Sequence, residues 1–108
     1  MVKKSILNDK PEVLISRFKT LLKKEKIPVE KIILFGSYAK GTQKPWSDLD
    51  LCVVSSAFGK NGYDETVLLA RLASTIEPMI EPHPYHPKDL LDPLDSLAWE
   101  IKKTGMIV

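Results

Sequence analysis

Residues 31–54 read KIILFGSYAKGTQKPWSDLDLCVV, with two apolar runs on either side of a polar segment. The first run, 31–35, is β-branched and aromatic and is followed by glycine, which predicts a buried strand. The second run, 48–54, predicts another strand, whose odd-numbered leucines and valine share one face because side chains alternate along a strand. The intervening segment, 37–47, is small, polar and turn-forming, so it predicts a loop.

Two aspartates, Asp48 and Asp50, lie at positions i and i+2 of the second predicted strand. Both side chains therefore project from the same face, about 6.5–7 Å apart along the backbone at the usual rise of about 3.3 Å per residue. Carboxylates at that spacing can converge on one cation, or bracket two cations about 3.5–4 Å apart. Oxygen ligands of this kind suit hard cations, Mg²⁺ above all. The pattern predicts a magnesium site that holds two ions.

Gly36 and Ser37 directly follow the first predicted strand and form a candidate phosphate cradle. Glycine lets a phosphate approach the backbone closely, while the serine hydroxyl and nearby N–H groups can donate to its oxygens. If residues 37–40 form a helical turn, its amino terminus adds a favourable partial charge. Two further residues have two interpretations each. Lys40 either helps to neutralise a triphosphate or is a solvated charge, and Ser47 either donates to a phosphate or shapes the turn.

The segment 36–42 also superficially resembles the nucleotide-binding P-loop. That motif requires a lysine directly after its second glycine, to reach the β- and γ-phosphates. Thr42 occupies this position, so the sequence excludes a P-loop NTPase.

Three prolines, Pro78, Pro82 and Pro84, lie in or next to the run 79–85. All three have even numbers, and alternate residues of a strand direct their N–H groups to the same side. One side of such a strand therefore lacks donors while the other can still pair. This pattern predicts a strand at the edge of a sheet, protected from aggregation by its prolines.

Glu81 lies in this edge strand and is the candidate third carboxylate. A helix predicted over 63–76 would carry the chain back, so that Glu81 lies beside Asp48 and Asp50. Three carboxylates gathered without cations repel one another and raise one another's pKa values. A site built in this way should require metal.

Helical periodicity predicts two further helices. The first begins with Asn8 or Asp9 as its cap and is ended by Pro28, and the last covers 94–104 and is closed by Gly105. The element order is helix, strand, loop, strand, helix, strand, helix. We therefore expect an α/β (α+β) fold, with a small mixed sheet flanked by helices.

The bulk properties restrict the class of protein. At 108 residues the chain has room for one core, so we expect 1–108 to be a single domain. A formal net charge of +2 is too balanced for non-specific nucleic-acid binding. No segment approaches the roughly 20 apolar residues of a membrane helix, and the first ten residues contain no signal-peptide pattern. Cys52, the single cysteine, is predicted to pack within its strand, and its solitary presence suits the cytoplasm.

Several other side chains invite a functional interpretation. His83 and His86, without a third nearby ligand, make a poor zinc site, so substrate-side or surface roles are favoured. Tyr38 and Trp46 flank the loop and could stack on a base or on a partner. Trp99, at helical spacing, is predicted to lie in the core or in an interface.

Taken together, Gly36-Ser37, ten residues, Asp48-x-Asp50 and a later acidic strand resemble the DNA-polymerase-β-type nucleotidyltransferase superfamily. The shortness of the chain narrows the resemblance to the minimal nucleotidyltransferases of that superfamily. It implies that Gly36 and Ser37 contact the triphosphate, and that Asp48 and Asp50 are catalytic metal ligands. The match runs over about residues 32–85.

The resemblance also implies an activity and a partner. Glu81 would be the third catalytic metal ligand, with Mg²⁺ as cofactor and ATP as the nucleotide donor. Several family members resemble antitoxins encoded beside HEPN-domain RNase toxins, which they silence by transferring AMP to a tyrosine of the toxin. The expected function is thus AMP transfer to a hydroxyl of a HEPN toxin. The alternatives are a non-catalytic antitoxin-like binding module, or transfer to a small molecule or RNA.

A chain this short has little material for a deep pocket, because a cleft needs walls on both sides. We therefore expect either a protein partner or a second copy of the chain to complete the site.

Overall fold

The computed structural model describes residues 6–108, which form a four-stranded sheet with helices on both faces. The predicted fold class is therefore confirmed. Residues 1–5, which include part of the segment searched for a signal peptide, lie outside the described residues. The elements, in chain order, are α1 (Pro11–Lys24), β1 (Lys31–Phe35), α2 (Ser37–Lys40), β2 (Leu49–Val54), α3 (Gly62–Ile76), β3 (Ile80–Tyr85), a 3₁₀ turn (Asp89–Leu91), α4 (Ser96–Thr104) and β4 (Met106–Ile107).

The sheet is mixed, with strand order β3-β2-β1-β4. β1 pairs antiparallel with both β2 and β4, whereas β2 and β3 are parallel and are joined through α3. Parallel neighbours need such a crossover, because the chain must return to the end at which it started. The register places Asp50 opposite Phe35 on one side and opposite Glu81 on the other. The two carboxylates therefore lie side by side on adjacent strands.

The two faces of the sheet carry separate apolar clusters. On one face, α1 and α3 cover the odd-numbered residues of β2, Leu49, Leu51 and Val53, all fully buried as predicted. On the other face, α4 and the 3₁₀ turn pack over Cys52, Val54 and neighbouring side chains. Asp50 shares this second face but retains 22% exposure of its side chain, because it lies beyond the buried Cys52 and Val54. One end of the second face is therefore open at Asp50.

β3 is the predicted edge strand. Its odd-numbered residues pair with β2, since the Leu49 N–H donates to the Met79 carbonyl and the Ser55 N–H donates to the Tyr85 carbonyl, both at 2.9 Å. The missing N–H groups of Pro82 and Pro84 consequently fall on the outer side. The prolines cost the sheet no hydrogen bond.

The start of α1 differs from the prediction. Its cap position is Lys10, with no side-chain hydrogen bond, so capping by Asn8 or Asp9 is wrong. Asn8 instead donates its N–H to Oε1 of the buried Glu77 at 2.6 Å, and Asp9 accepts the N–H of Lys10 through Oδ1 at 2.7 Å. The Asn8 bond is made by its main-chain N–H and anchors the segment before α1 to Glu77, and the cap position falls one residue after Asp9.

The predicted helix stops are partly confirmed. α1 ends at Lys24, before Pro28 is reached, so Pro28 does not terminate it. Gly105 does close α4, but with an ordinary φ of −72°. Gly105 is required for steric reasons, because a Cβ at this position would overlap the Ile101 carbonyl oxygen and the Ile33 side chain.

α4 begins two residues later than predicted, with Asp95 as its cap. The Asp95 carboxylate accepts the Ala98 N–H at 3.0 Å and the Tyr85 hydroxyl at 2.9 Å. These bonds stabilise the charged form, the Ala98 bond most of all, and lower the pKa of Asp95. The cap thereby ties α4 to the end of β3. No helix within residues 6–108 is both long and apolar enough to cross a membrane.

Candidate active site

Gly36, which joins β1 to α2, has a backbone that only glycine adopts readily. Its φ of 74° and ψ of −154° fall in a region that is essentially closed to residues with a Cβ. A Cβ would also overlap Oδ2 of Asp50 and lie 3.2 Å from Cγ of the same side chain. The turn therefore passes directly over the Asp50 carboxylate, which places the predicted phosphate cradle against the predicted metal ligand.

The helical turn predicted after Gly36 is α2, Ser37–Lys40. Nζ of Lys40 lies 3.0 Å from Oε1 of Glu100 on α4. An exposed pair of this kind contributes about 1 kcal/mol at most, so an incoming phosphate could compete for the lysine. Ser47 has the turn-shaping role, since its Oγ accepts the Lys44 N–H at 2.8 Å. Nucleotide contacts for Ser37, Lys40 and Ser47 stay predictions.

The Asp50 and Glu81 carboxyl groups interact directly. The pKa of Glu81 is raised by burial first, then by its side-chain hydrogen bond with Asp50 and by the Asp50 charge. Asp48 precedes β2 and is exposed, yet its charge also raises the pKa of Glu81. Two carboxylates this close repel each other when both are charged, and a bound cation would relieve that repulsion. This is the electrostatic behaviour expected of a cation site.

His83 joins this pair, although the sequence analysis gave it only a substrate-side or surface role. Its Nε2 lies 3.8 Å from Oδ1 of Asp50 and 3.8 Å from Oε1 of Glu81. One ligand atom from each of the three residues falls within 4.8 Å of the others. The signal was present in the sequence, because Glu81 and His83 stand in the same i, i+2 relation as Asp48 and Asp50. Two carboxylates and an imidazole are a suitable donor set for a divalent cation.

Two cavities lie elsewhere on the molecule. One of about 920 Å³ lies between the end of α1 and β4, and one of about 540 Å³ lies beside the loop that precedes β2. None of the three clustered side chains lines either of them. The cluster reaches the surface at Glu81, whose side chain is 52% exposed.

A family comparison covers this whole region, since residues 15–104 match the nucleotidyltransferase domain family. The chain belongs to that family. The match includes the Gly36 turn, Asp48, Asp50 and the acidic edge strand. No curated protein matches the chain at a significant level.

Solved structures place the nucleotidyltransferase domain among similar folds. A protein of Sulfolobus solfataricus described as a nucleotidyltransferase has a TM-score of 0.65 and 16% identity, over 93% of this chain and 87% of that one. A chain of a mutant MntA–HpeT toxin–antitoxin complex has a TM-score of 0.60 and 25% identity, over 87% of this chain and 70% of that one. A chain of the complex between the tri-AMPylated Shewanella oneidensis HEPN toxin and MNT antitoxin has a TM-score of 0.54 and 16% identity, over 91% of this chain and 71% of that one. The minimal nucleotidyltransferase fold predicted from the sequence is thus confirmed.

Proposed function

We propose that this nucleotidyltransferase domain is a metal-dependent enzyme that transfers AMP from ATP to a hydroxyl of a partner protein, a HEPN-domain toxin. One observation carries the proposal. Asp50 and Glu81 lie opposite each other on adjacent strands, and the turn at Gly36 passes directly over the Asp50 carboxylate. This arrangement brings an anion-binding backbone and a cation-binding carboxylate pair together on one open surface.

The chain's own residues have distinct roles in this proposal. Gly36 and Ser37 bind the triphosphate, because the Gly36 turn lies against the Asp50 carboxylate and its N–H groups and the Ser37 hydroxyl can donate to phosphate oxygens. Asp48, Asp50 and Glu81 hold two Mg²⁺ ions, which would supply Lewis-acid stabilisation of the phosphates and lower the pKa of the acceptor hydroxyl. The Asp50 carboxylate is held in position by the overlying Gly36 turn.

Two features support a protein as the acceptor. The carboxylate cluster lies at the surface, so an acceptor on a large molecule can reach it. Large apolar side chains are also exposed, among them Trp46 and Trp99, each at 60%. The core position predicted for Trp99 is therefore wrong. The centre of the Trp99 ring lies 4.5 Å from Nζ of Lys103. Of the two positions predicted for Trp99, a partner interface is the one that remains.

Two similar structures support the choice of a HEPN-domain toxin as the partner. One similar chain comes from the MntA–HpeT toxin–antitoxin complex, and another from a complex that contains an AMPylated HEPN toxin. Residues 1–108 would then act as a single domain, and the toxin would form the second wall of its substrate cleft. A second copy of the chain is the competing way to complete the site.

The test is transfer of label from α-³²P-ATP in the presence of Mg²⁺. The purified protein is incubated alone and with its co-encoded HEPN-domain partner, beside Asp50→Asn and the charge-matched control Glu12→Gln. Glu12 lies exposed in the first turn of α1. We expect label on the partner with wild type and the control, and its loss with Asp50→Asn.

Other outcomes would redirect the proposal. If a stable complex forms and no label is transferred, the domain is an antitoxin-like binding module that acts by occupancy. If label appears only on added RNA or on a small hydroxylated molecule, transfer stands and the protein acceptor is wrong.

A further inference from the structure

β3 places His83 next to the carboxylate pair of Asp50 and Glu81. Residues 81 and 83 project from the same face of the strand, and the parallel register sets them opposite Asp50 and Cys52 of β2. The imidazole therefore stands one position further along the strand face than the two carboxylates. Its Nε2 is 3.8 Å from an oxygen of each.

Nε2 of His83 is buried and has no hydrogen-bond partner among residues 6–108. Buried polar atoms of this kind are few in folded proteins, since leaving one unpaired is unfavourable. A separation of 3.8 Å from each carboxylate is too long for a hydrogen bond. The atom is directed at the carboxylates without bonding to them, which is the arrangement expected when the missing partner lies between all three.

The distances suit a cation in that position. Neighbouring ligands of an ion with bonds of about 2.1 Å lie about 3 Å apart. Contraction from the observed 3.8 Å separations is then less than about 1 Å, within reach of small side-chain rotations. The cluster is nearly assembled for coordination by one nitrogen and two oxygens.

Packing fixes the imidazole in this orientation. The Phe35 ring meets it edge-on, with ring centroids 5.1 Å apart and an interplanar angle of 60°. Only 25% of the His83 side chain is exposed, against 52% for Glu81. The imidazole is therefore held more firmly than one of the two carboxylates it faces.

We propose that His83 is a nitrogen ligand of the cation held by Asp50 and Glu81, and that it shifts the preference of this site from Mg²⁺ towards first-row transition ions such as Mn²⁺ and Co²⁺. Carboxylate and water oxygens suit Mg²⁺ and Mn²⁺ alike, whereas an imidazole nitrogen adds affinity for transition ions and little for Mg²⁺. The inference rests on the proposed function for the existence of the cation site. It adds a ligand, and a metal preference, that the predicted set of Asp48, Asp50 and Glu81 lacks.

The test uses Mn²⁺ as a spectroscopic probe and requires no turnover. Wild type, His83→Gln and His86→Gln are loaded with Mn²⁺, with and without a non-hydrolysable ATP analogue. Electron spin echo modulation then detects histidine nitrogen bound to the ion, and ¹⁵N-labelled histidine separates it from adenine nitrogen. His86 is the matched control, because it is the other histidine and its Nδ1 already accepts the Lys88 N–H at 3.0 Å.

We expect histidine nitrogen modulation in wild type and His86→Gln, and its absence in His83→Gln. The affinity for Mn²⁺ should fall at least about 10-fold in His83→Gln. A loss of about 10-fold is the lower limit seen when a residue that only hydrogen-bonds to a metal ligand is removed, and loss of a ligand itself should cost no less. Mg²⁺ affinity should fall by less, so that the ratio of the two affinities changes. Circular dichroism confirms that the variants remain folded.

The outcomes separate this inference from the proposed function. Bound Mn²⁺ without histidine nitrogen modulation in wild type, or equal losses of Mn²⁺ and Mg²⁺ affinity, would overturn the role of His83 even if AMP transfer is observed. Modulation that depends on His83 would uphold it even if the transfer assay finds no labelled acceptor. Failure of wild type to bind Mn²⁺ under either condition would also overturn it.

Discussion

Replacing Gly36 with alanine should damage both stability and activity, for two reasons that add. The backbone region at φ 74° and ψ −154° costs a residue with a Cβ about 1–3 kcal/mol. Relieving the overlap of the new Cβ with the Asp50 carboxylate costs about 1–3 kcal/mol more, as for other overpacked sites. The expected loss is therefore about 2–6 kcal/mol out of the roughly 5–15 kcal/mol by which small domains are stable.

Gly41→Ala is the matched control, because Gly41 also has a positive φ, of 73°, at the other end of α2. Nothing lies within 4 Å of its added Cβ, so only the left-handed backbone cost of about 1–2 kcal/mol applies. The two variants differ chiefly in whether the new methyl group reaches Asp50.

Urea denaturation gives the free energy of unfolding of each variant, and the label-transfer assay gives its activity at a temperature where both are folded. Gly41→Ala should retain transfer, whereas Gly36→Ala should lose about 100-fold or more, the typical cost of displacing a catalytic group by about 1 Å. Equal stability and equal activity of the two variants would refute the claim that the turn and the carboxylate are in direct contact.

Three further predictions concern parts of the molecule outside the cation cluster. Asp95→Ala should lower the free energy of unfolding by about 1–2 kcal/mol, because it removes the cap from Ala98 and the bond from Tyr85. The Ala98 bond lowers the pKa of Asp95 in the folded protein. The stability that the Asp95 charge contributes is therefore complete above the ordinary pKa of 3.8 and is lost as the pH falls through the lower folded pKa. Urea titrations of wild type and Asp95→Ala should then give converging free energies of unfolding in acid. If their difference is constant down to about pH 3, the carboxylate charge is not the source of the stabilisation. Burial raises the pKa of Cys52 to about 12, so its thiol should react with a disulfide reagent only on unfolding, and rapid reaction of the native protein would contradict this.

The sheet could be predicted from the sequence because strand periodicity is local and is shared by every residue of a strand. β1 was predicted with its observed bounds, and the parity of the prolines identified β3 as an edge strand. The helix predicted before β3 returns the chain to the sheet, which brings Glu81 beside Asp50, a contact between residues far apart in the chain. Predictions that depend only on the alternation of side chains along a strand do not require knowledge of the tertiary contacts.

Features set by tertiary contacts could not be predicted in the same way. The Asn8 N–H is taken by Glu77, 69 residues away, which no local capping rule anticipates. Lys40 could be called a phosphate contact or a solvated charge from sequence, but its pairing with Glu100 depends on where α4 lies. The position of His83 cannot be recognised from zinc-ligand spacing, because its neighbours are carboxylates on two different strands.

The outer edge of β3 has a consequence for how any partner can approach. The N–H of Ile80 donates to the Glu77 carbonyl, and Pro82 and Pro84 have none, so no outward amide of this strand is free to donate. A partner therefore cannot form a ladder here by β-augmentation, in which an extended segment joins the rim of a sheet through alternating donors and acceptors. A partner that carries the proposed acceptor hydroxyl would therefore reach the carboxylates by side-chain contacts over the face of the sheet rather than by adding a strand to this edge.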